Sequence, residues 1–283
     1  MQRVYNIITI VLLIALSTLQ LQSCDKKQVI TKPIVRDSSG NTVKTRFKTP
    51  DRYTRVSSEK NSFAEYLQNL SLKPEGTKVL NYDGTEKRPD DVYAAVINVD
   101  VGDKDLQQCA DAVMRLRAEY LFAQGKFEDI EFNFTNGFIA EYSKWRLGYR
   151  ISVSGNKVSW IKKSEESTSY NEFRKYLDVV FTYAGTLSLE KELTPIDISE
   201  IEIGSVFIKG GSPGHAVIIV DLAENKTTGD KVFLIAQSYM PAQDIQILKN
   251  PDSNSLSPWY STNIENTLVT REWTFKKTQL KKF

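Results

Sequence analysis

The sequence contains a single histidine, His215, and imidazole is the side chain best suited to move a proton near neutral pH. It follows the loop 210–214, Gly-Gly-Ser-Pro-Gly, and opens an aliphatic run that is typical of a buried strand. The sequence also contains two cysteines, Cys24 and Cys109. A thiol and an imidazole are the minimum that catalysis by a cysteine nucleophile requires. In such catalysis Cys109 would be the nucleophile that attacks a carbonyl carbon, and His215 would be the base that accepts the thiol proton.

Cys24 ends an N-terminal segment that is typical of an exported protein. Arg3 supplies a positive charge, and the apolar run 7–16 is too short to remain as a membrane-spanning helix. The stretch Leu-Gln-Ser-Cys at 21–24 resembles the bacterial lipobox, which implies a signal peptide over 1–23 and a lipid on Cys24. Several acyl chains together would anchor the chain in a membrane of the bacterial cell envelope, inner or outer. An ordinary secretory signal followed by a chance cysteine is the alternative interpretation.

Residues 24–60 read as a lipidated cysteine followed by a flexible linker. Polar, basic and turn-forming residues dominate this stretch, and no apolar period is sustained within it. The pattern of a short helix begins at Ser62, with Glu65 placed to complete a capping box. We therefore predict a single folded domain over 61–283.

Cys109 lies near the start of the clearest helix pattern, which runs from Leu106 to Leu121. Asp105 and Gln108 have the spacing of a capping box. One interpretation makes Cys109 a small buried hydrophobe. The other is functional, because the first turn of a helix lowers the pKa of a thiol from about 8.5 toward neutrality. With Cys24 lipidated, Cys109 would be the only thiol of the mature chain and would have no disulfide partner within it.

The remaining elements predict an α+β fold, with the cysteine-bearing helix packed on an antiparallel sheet. Residues 127–185 read as an inserted segment of short strands followed by a helix. Three strand patterns then follow at 202–208, 215–221 and 231–240, joined by short links. Consecutive strands with short links form an antiparallel meander.

A third polar group is needed to orient the imidazole. Asp221 shares a face with His215 but lies six residues away, or roughly 20 Å, which is too far. Pairing Val220 with Val232 in the hairpin places His215 opposite Gln237. We therefore predict Gln237 as the orienting residue, and a slip of one residue would present Ser238 instead.

These residues resemble the papain-like peptidases of the NlpC and CHAP type. The matching pieces are Gln108-Cys109, the strand at 203–207, Gly214-His215 with its aliphatic strand, and Gln237. The resemblance implies that Cys109 is the nucleophile, His215 the base and Gln237 the orienting residue, acting on peptide or amide bonds, often in bacterial cell walls. Ser205 stands where those families commonly carry an aspartate.

Over the whole body the sequence resembles the lipoprotein family termed domain of unknown function 4846, which names no substrate. The segments that carry this resemblance are Gln-Gln-Cys-Ala-Asp-Ala at 107–112 and Ala-Gln-Ser-Tyr-Met-Pro-Ala-Gln-Asp at 236–244. Two other classes of function stay open on the residues alone. The chain would be a non-catalytic module that binds a cell-wall peptide or a protein, or a structural envelope lipoprotein.

Other chemistry has little support in the sequence. The formal net charge of +2 does not indicate a basic surface of the kind that binds nucleic acid. One histidine with one cysteine falls short of the usual zinc ligand sets, and no phosphate-binding glycine motif occurs, so we predict neither a metal nor a cofactor.

Overall fold

The computed structural model describes residues 37–283, which belong to one compact unit. The predicted signal peptide and Cys24 lie outside the described residues. The helices of the described part are α1 (Val43–Arg46), α2 (Phe63–Gln68), α3 (Cys109–Ala123), α4 (Tyr142–Arg146), α5 (Tyr170–Tyr183) and α6 (Thr186–Glu192). Its strands are β1 (Thr54–Arg55), β2 (Tyr93–Val96), β3 (Glu131–Asn133), β4 (Ile139–Glu141), β5 (Tyr149–Ser154), β6 (Lys157–Lys162), β7 (Thr194–Pro195), β8 (Val206–Lys209), β9 (His215–Glu224), β10 (Lys231–Gln237), β11 (Gln246–Leu248), β12 (Tyr260–Ser261), β13 (Thr267–Val269), β14 (Thr274–Lys276) and β15 (Leu280–Lys282).

The fold is built on one large antiparallel sheet, and the predicted α+β class is confirmed at that level. The strand order is β2-β11-β10-β9-β8-β15-β7, with β1 paired to β9 and β12 paired to β10. The predicted meander is present as β8-β9-β10. Its central strand β9 is buried over nine of its ten residues, as a continuous aliphatic run with neighbours on both sides requires. Helix α3 packs against β9 and β10, so the cysteine-bearing helix does lie on this sheet.

The predicted register of the β9–β10 hairpin was wrong by three residues. Val232 pairs with Ala223 rather than with Val220. The reason is that β9 continues to Glu224, so the polar turn that joins the strands is shorter than the sequence suggested.

A β-bulge then changes which side chains share a face. Val220 is an extra residue in β9, and beyond it Ala236 pairs with Ile218. Because side chains alternate along a strand, this single extra residue moves Gln237 onto the face that carries His215. Without the bulge, Gln237 would point to the opposite side of the sheet.

The N-terminal part of the described chain belongs to the folded body. Val43 and Phe47 are fully buried, and β1 pairs with β9. Arg55 of β1 donates to the buried Asp221 carboxylate at 2.8 Å. The predicted linker over 24–60 was therefore wrong from about residue 43 onward, because a few buried side chains at irregular spacing carry no period that marks them as core.

The predicted inserted segment lies between α3 and β8. It contains two hairpins, β3–β4 and β5–β6, each a separate two-stranded sheet, together with α4, α5 and α6. Helix α5 buries the predicted apolar face of Phe173, Tyr176, Leu177, Val180 and Phe181. None of the helices within residues 37–283 combines the length and the apolar character that crossing a membrane requires.

The packing of the N-terminal stretch makes a prediction about stability. Replacing Phe47 by alanine removes a fully buried ring, so we expect Phe47→Ala to lower the free energy of unfolding by about 3–5 kcal/mol in urea denaturation. The matched control is Lys44→Ala, which alters an exposed side chain of α1 and should change stability by less than about 0.5 kcal/mol. Equal stability of the two variants would mean that this stretch does not pack on the body.

Candidate active site

Cys109 is the first residue of α3, and its position is fixed by hydrogen bonds around the helix start. The Gln108 amide donates to the Asp111 carboxylate at 3.0 Å, which caps the first turn. The Ala242 amide donates to Asp105 at 2.7 Å, so the loop before the helix is tied to the segment that follows β10. These contacts hold the thiol at the point where the helix meets the sheet.

Ser238, the alternative orienting residue, serves the same helix start instead of the imidazole. Its hydroxyl lies 2.8 Å from the Gln107 carbonyl oxygen and 2.9 Å from that of Gln243. Ser238 is fully buried, and both contacts are to backbone oxygens. It therefore anchors the backbone two residues before Cys109.

The Cys109 thiol is buried, with 8% of the residue exposed. Burial raises the pKa of the thiol to about 11, and backbone hydrogen bonds from Ala216, Ala110 and Cys109 itself lower it by less. The amides of the first turn thus act in the predicted direction but are outweighed, so the expected low-pKa thiol is absent from the resting protein. The contact with Ala216 places the sulfur beside the residue that follows His215.

His215 is buried at the start of β9 and is held by Gln237. Its Nε2 lies 2.8 Å from Gln237 Oε1, and Gln237 Nε2 lies 2.5 Å from Glu272 Oε2. A carboxylate only accepts hydrogen bonds, so the amide must turn its nitrogen to Glu272 and its oxygen to the ring. The ring must then donate from Nε2, which leaves Nδ1 as the unprotonated nitrogen and the only basic atom of the imidazole.

Glu272 is in turn fixed by an ion pair with Lys87. The Lys87 Nζ lies 2.7 Å from Glu272 Oε1, and the two side chains are 3% and 11% exposed. Neither residue was predicted from the sequence. Lys87 precedes β2 and Glu272 lies between β13 and β14, and no motif or local spacing links either of them to His215.

Aromatic rings enclose the imidazole and set its charge state. Tyr239, Trp273 and Phe275 have ring centroids 5.0, 5.4 and 5.8 Å from that of His215. Burial lowers the pKa of His215 to about 4, the charge of Lys87 lowers it further, and the hydrogen bond to Gln237 opposes this. The thiol and the imidazole are therefore both neutral at pH 7.

An open groove of about 420 Å³ lies over the helix start and is lined by Cys109. Its opposite wall is the glycine loop before His215. A Cβ at Gly214 would lie 2.4 Å from Thr186 Oγ1, so only glycine allows the loop to pack against the start of α6. Met240, which is 61% exposed, forms part of the rim. The groove gives an extended ligand access to the thiol from the helix side.

The two glutamines before Cys109 have different surroundings. The Gln108 side chain donates to Asp105 at 3.1 Å and lines the groove. Gln107 turns away, and its Oε1 accepts from Arg115 Nη1 at 2.9 Å. Only Gln108 therefore lies on the side where a carbonyl oxygen would meet the thiol. Within residues 37–283 no three His, Cys, Asp or Glu side chains gather as a metal site requires.

Comparison with known proteins gives one match. The family model described as Domain of unknown function (4846) matches residues 43–282, which is most of the chain. Searches of curated proteins and of solved structures found no match.

The lowered pKa of His215 makes stability depend on pH with a definite sign. The pKa of a histidine in an unfolded chain is near 6.5. As the pH falls from 6.5 toward 4, the unfolded chain therefore binds a proton at His215 and the folded protein does not. This group alone should cost the wild type about 2–3 kcal/mol of unfolding free energy between pH 7 and pH 4.5.

Comparison with His215→Gln isolates that contribution, because the other titrating groups are common to both proteins. In urea denaturation, the stability difference between wild type and variant should shift against the wild type by that amount at the lower pH. A difference that stays constant with pH would contradict a buried neutral imidazole.

Proposed function

This chain belongs to the family described as Domain of unknown function (4846), and we propose that it is a papain-like cysteine hydrolase acting on peptide or amide bonds. Cys109 is its nucleophile, His215 its base and Gln237 the residue that orients the base. The observation that carries the proposal is the chain of contacts from Glu272 through Gln237 to His215 Nε2, which leaves Nδ1 unprotonated, while the Cys109 thiol contacts the backbone of Ala216, the next residue of the same strand.

The reaction starts from a neutral thiol and a neutral imidazole. As Sγ attacks the carbonyl carbon, its proton passes to His215 Nδ1, and backbone amides at the start of α3 stabilise the oxyanion. The imidazolium then gives that proton to the leaving nitrogen, the C–N bond breaks, and a thioester on Cys109 remains. Water, deprotonated by Nδ1, attacks the thioester, and the thiol is restored when the acid leaves.

The two pKa values determine when the proton moves. The pKa of the thiol, about 11, exceeds that of the imidazole, about 4, by about seven. Proton transfer without substrate therefore costs on the order of 10 kcal/mol, less the attraction between the thiolate and the imidazolium. The transfer is coupled to attack on a bound carbonyl, and the free protein reacts slowly with small alkylating agents.

Anchoring in the cell envelope belongs to the same proposal. The lipobox at 21–24 supports a lipid on Cys24, and cell-wall peptides are then the substrates within reach of an anchored hydrolase. The inner and the outer membrane are both compatible with this sequence.

A non-catalytic module that binds an envelope peptide or protein, or serves a structural role, is the second candidate. The observation that favours it is the buried thiol, because a free cysteine also occurs in protein cores as a small hydrophobic residue without any chemistry. The two candidates differ in whether an electrophilic carbonyl analogue in the groove forms a bond to Cys109.

Labelling by a peptidyl acyloxymethyl ketone tests the proposal. We expect the probe to modify Cys109 of the wild type at pH 7, as read by mass spectrometry of the intact protein and its peptides. His215→Asn should slow labelling by about 10²–10⁴-fold, because the general base is lost. Cys109→Ser should not be labelled, and Lys44→Ala, at an exposed residue outside the groove, is the control that keeps the wild-type rate.

Thermal unfolding of each variant separates loss of the base from loss of the fold. If folded His215→Asn reacts as fast as the wild type, the assignment of His215 as base is wrong. A folded wild type that the probe never labels would favour the non-catalytic module.

A further inference from the structure

A second pocket adjoins the groove over Cys109. It has a volume of about 280 Å³ and lies between α5 and the loop that leads into α3. Leu106 and Phe181 line both cavities, so a ligand that extends past these two side chains enters the second pocket. Its polar lining includes Gln107, Arg174 and Lys175.

The side-chain NH₂ group of Gln107 has no hydrogen-bond partner among the described residues and lies on the side of the amide opposite Arg115. Its Oε1 accepts from Arg115, and a guanidinium only donates, so the amide orientation is fixed with the nitrogen on the other side. The residue is 1% exposed, and its Nε2 has no hydrogen-bond partner among the described residues. A buried donor without a partner destabilises the fold, which points to a ligand or water at this place.

Arg174 supplies a second unpartnered donor in the same pocket. Its Nη1 is buried without a hydrogen-bond partner in the described part of the chain. Arg174 lines the pocket, and its side chain as a whole is 16% exposed. Two N–H groups of different residues thus lack an acceptor around one cavity.

The charges around the pocket leave Arg174 less neutralised than its neighbours. Lys104 and Lys175 each have a carboxylate at 2.6 Å. The carboxylate paired with Arg174 is that of Asp100, at 3.7 Å, and Asp100 also lies 3.3 Å from Arg115. Burial and the charge of Arg115 lower the pKa of Arg174, and Asp100, Tyr170 and Asp178 each raise it by less, so the charge of this guanidinium is only partly compensated.

We propose that this pocket is a substrate subsite that binds a carboxylate group, with Arg174 and Gln107 as its donors. A carboxylate accepts two hydrogen bonds at once and matches the planar donors of a guanidinium. The inference rests on the proposed hydrolase function, and it defines the substrate class as peptides that carry a free carboxylate close to the scissile bond. That carboxylate belongs either to a C-terminal residue or to an acidic side chain.

Binding to the folded Cys109→Ala protein tests the subsite without any chemistry. Isothermal titration would compare acetyl-Ala-Ala-Ala as its free acid with the same peptide as its C-terminal amide, and with acetyl-Ala-Glu-Ala amide. We expect one or both of the carboxylate-bearing peptides to bind at least about tenfold more tightly than the uncharged amide, as charge-assisted hydrogen bonds predict. Which of them binds more tightly identifies the source of the carboxylate.

Variants of Arg174 test the assignment of the donor. In the Cys109→Ala background, Arg174→Gln should abolish the preference for a carboxylate, whereas Lys163→Gln, at an exposed lysine, should preserve it. Arg174→Lys keeps the charge but loses the planar donor pair, so it should lose most of the preference and serves if Arg174→Gln does not fold.

The outcomes separate this inference from the proposed function. Equal binding of acid and amide, no binding of any of the three peptides, or a preference that survives in folded Arg174→Gln and Arg174→Lys would overturn the subsite. The two donors would then be bridged by water only. Probe labelling of Cys109 is measured independently on the wild-type thiol, so it can succeed when the subsite fails, and the subsite can bind when labelling fails.

Discussion

The hydrogen bond from Gln237 to Glu272 is the constraint on which the candidate site depends. A carboxylate accepts and never donates, so it dictates which way the amide faces, and the amide dictates which nitrogen of His215 carries the proton. The buried ion pair between Lys87 and Glu272 holds the carboxylate in place. An ion pair buried in this way is a costly means of stabilising a fold, because both charges lose their hydration. Its value here lies in fixing the direction of the hydrogen bonds.

A second ion fixes a second amide close to the same thiol. Arg115 holds the oxygen of Gln107 in the way that Glu272 holds the nitrogen of Gln237. The orientation of Gln237 leaves Nδ1 of His215 as a basic nitrogen. The orientation of Gln107 leaves an N–H donor without a partner among the described residues at the second pocket. Gln237 ends β10, and the segment after β10 is hydrogen-bonded to the loop that contains Gln107.

Much of this geometry could be predicted from local patterns. The helix that carries Cys109 and the meander that carries His215 follow from periodicity and turn signals, although the helix begins at Cys109 and not at Leu106 as its pattern predicted. The register was wrong because the turn is shorter than its polar residues suggest. The bulge at Val220 then placed Gln237 on the face of His215 by a different route. A bulge inside a continuous aliphatic run leaves no trace in the hydrophobic pattern.

The features that were missed depend on contacts between distant segments. Lys87 and Glu272 are 185 residues apart, and only the folded chain brings them together. The pKa of the thiol could not be judged either, because helix start and burial act in opposite directions and burial is a property of the whole fold. The buried positions of the stretch around Phe47 likewise follow from the sheet against which it packs.

Nitrogen NMR of the protein labelled with ¹⁵N-histidine tests the central claim most directly, because the sequence contains one histidine and its two ring nitrogens give an unambiguous pair of signals. At pH 7 we expect Nε2 to carry the proton and Nδ1 to be unprotonated, and we expect the ring to titrate with a midpoint near pH 4. A proton on Nδ1 at pH 7, or a midpoint near the ordinary value of about 6.5, would contradict that claim.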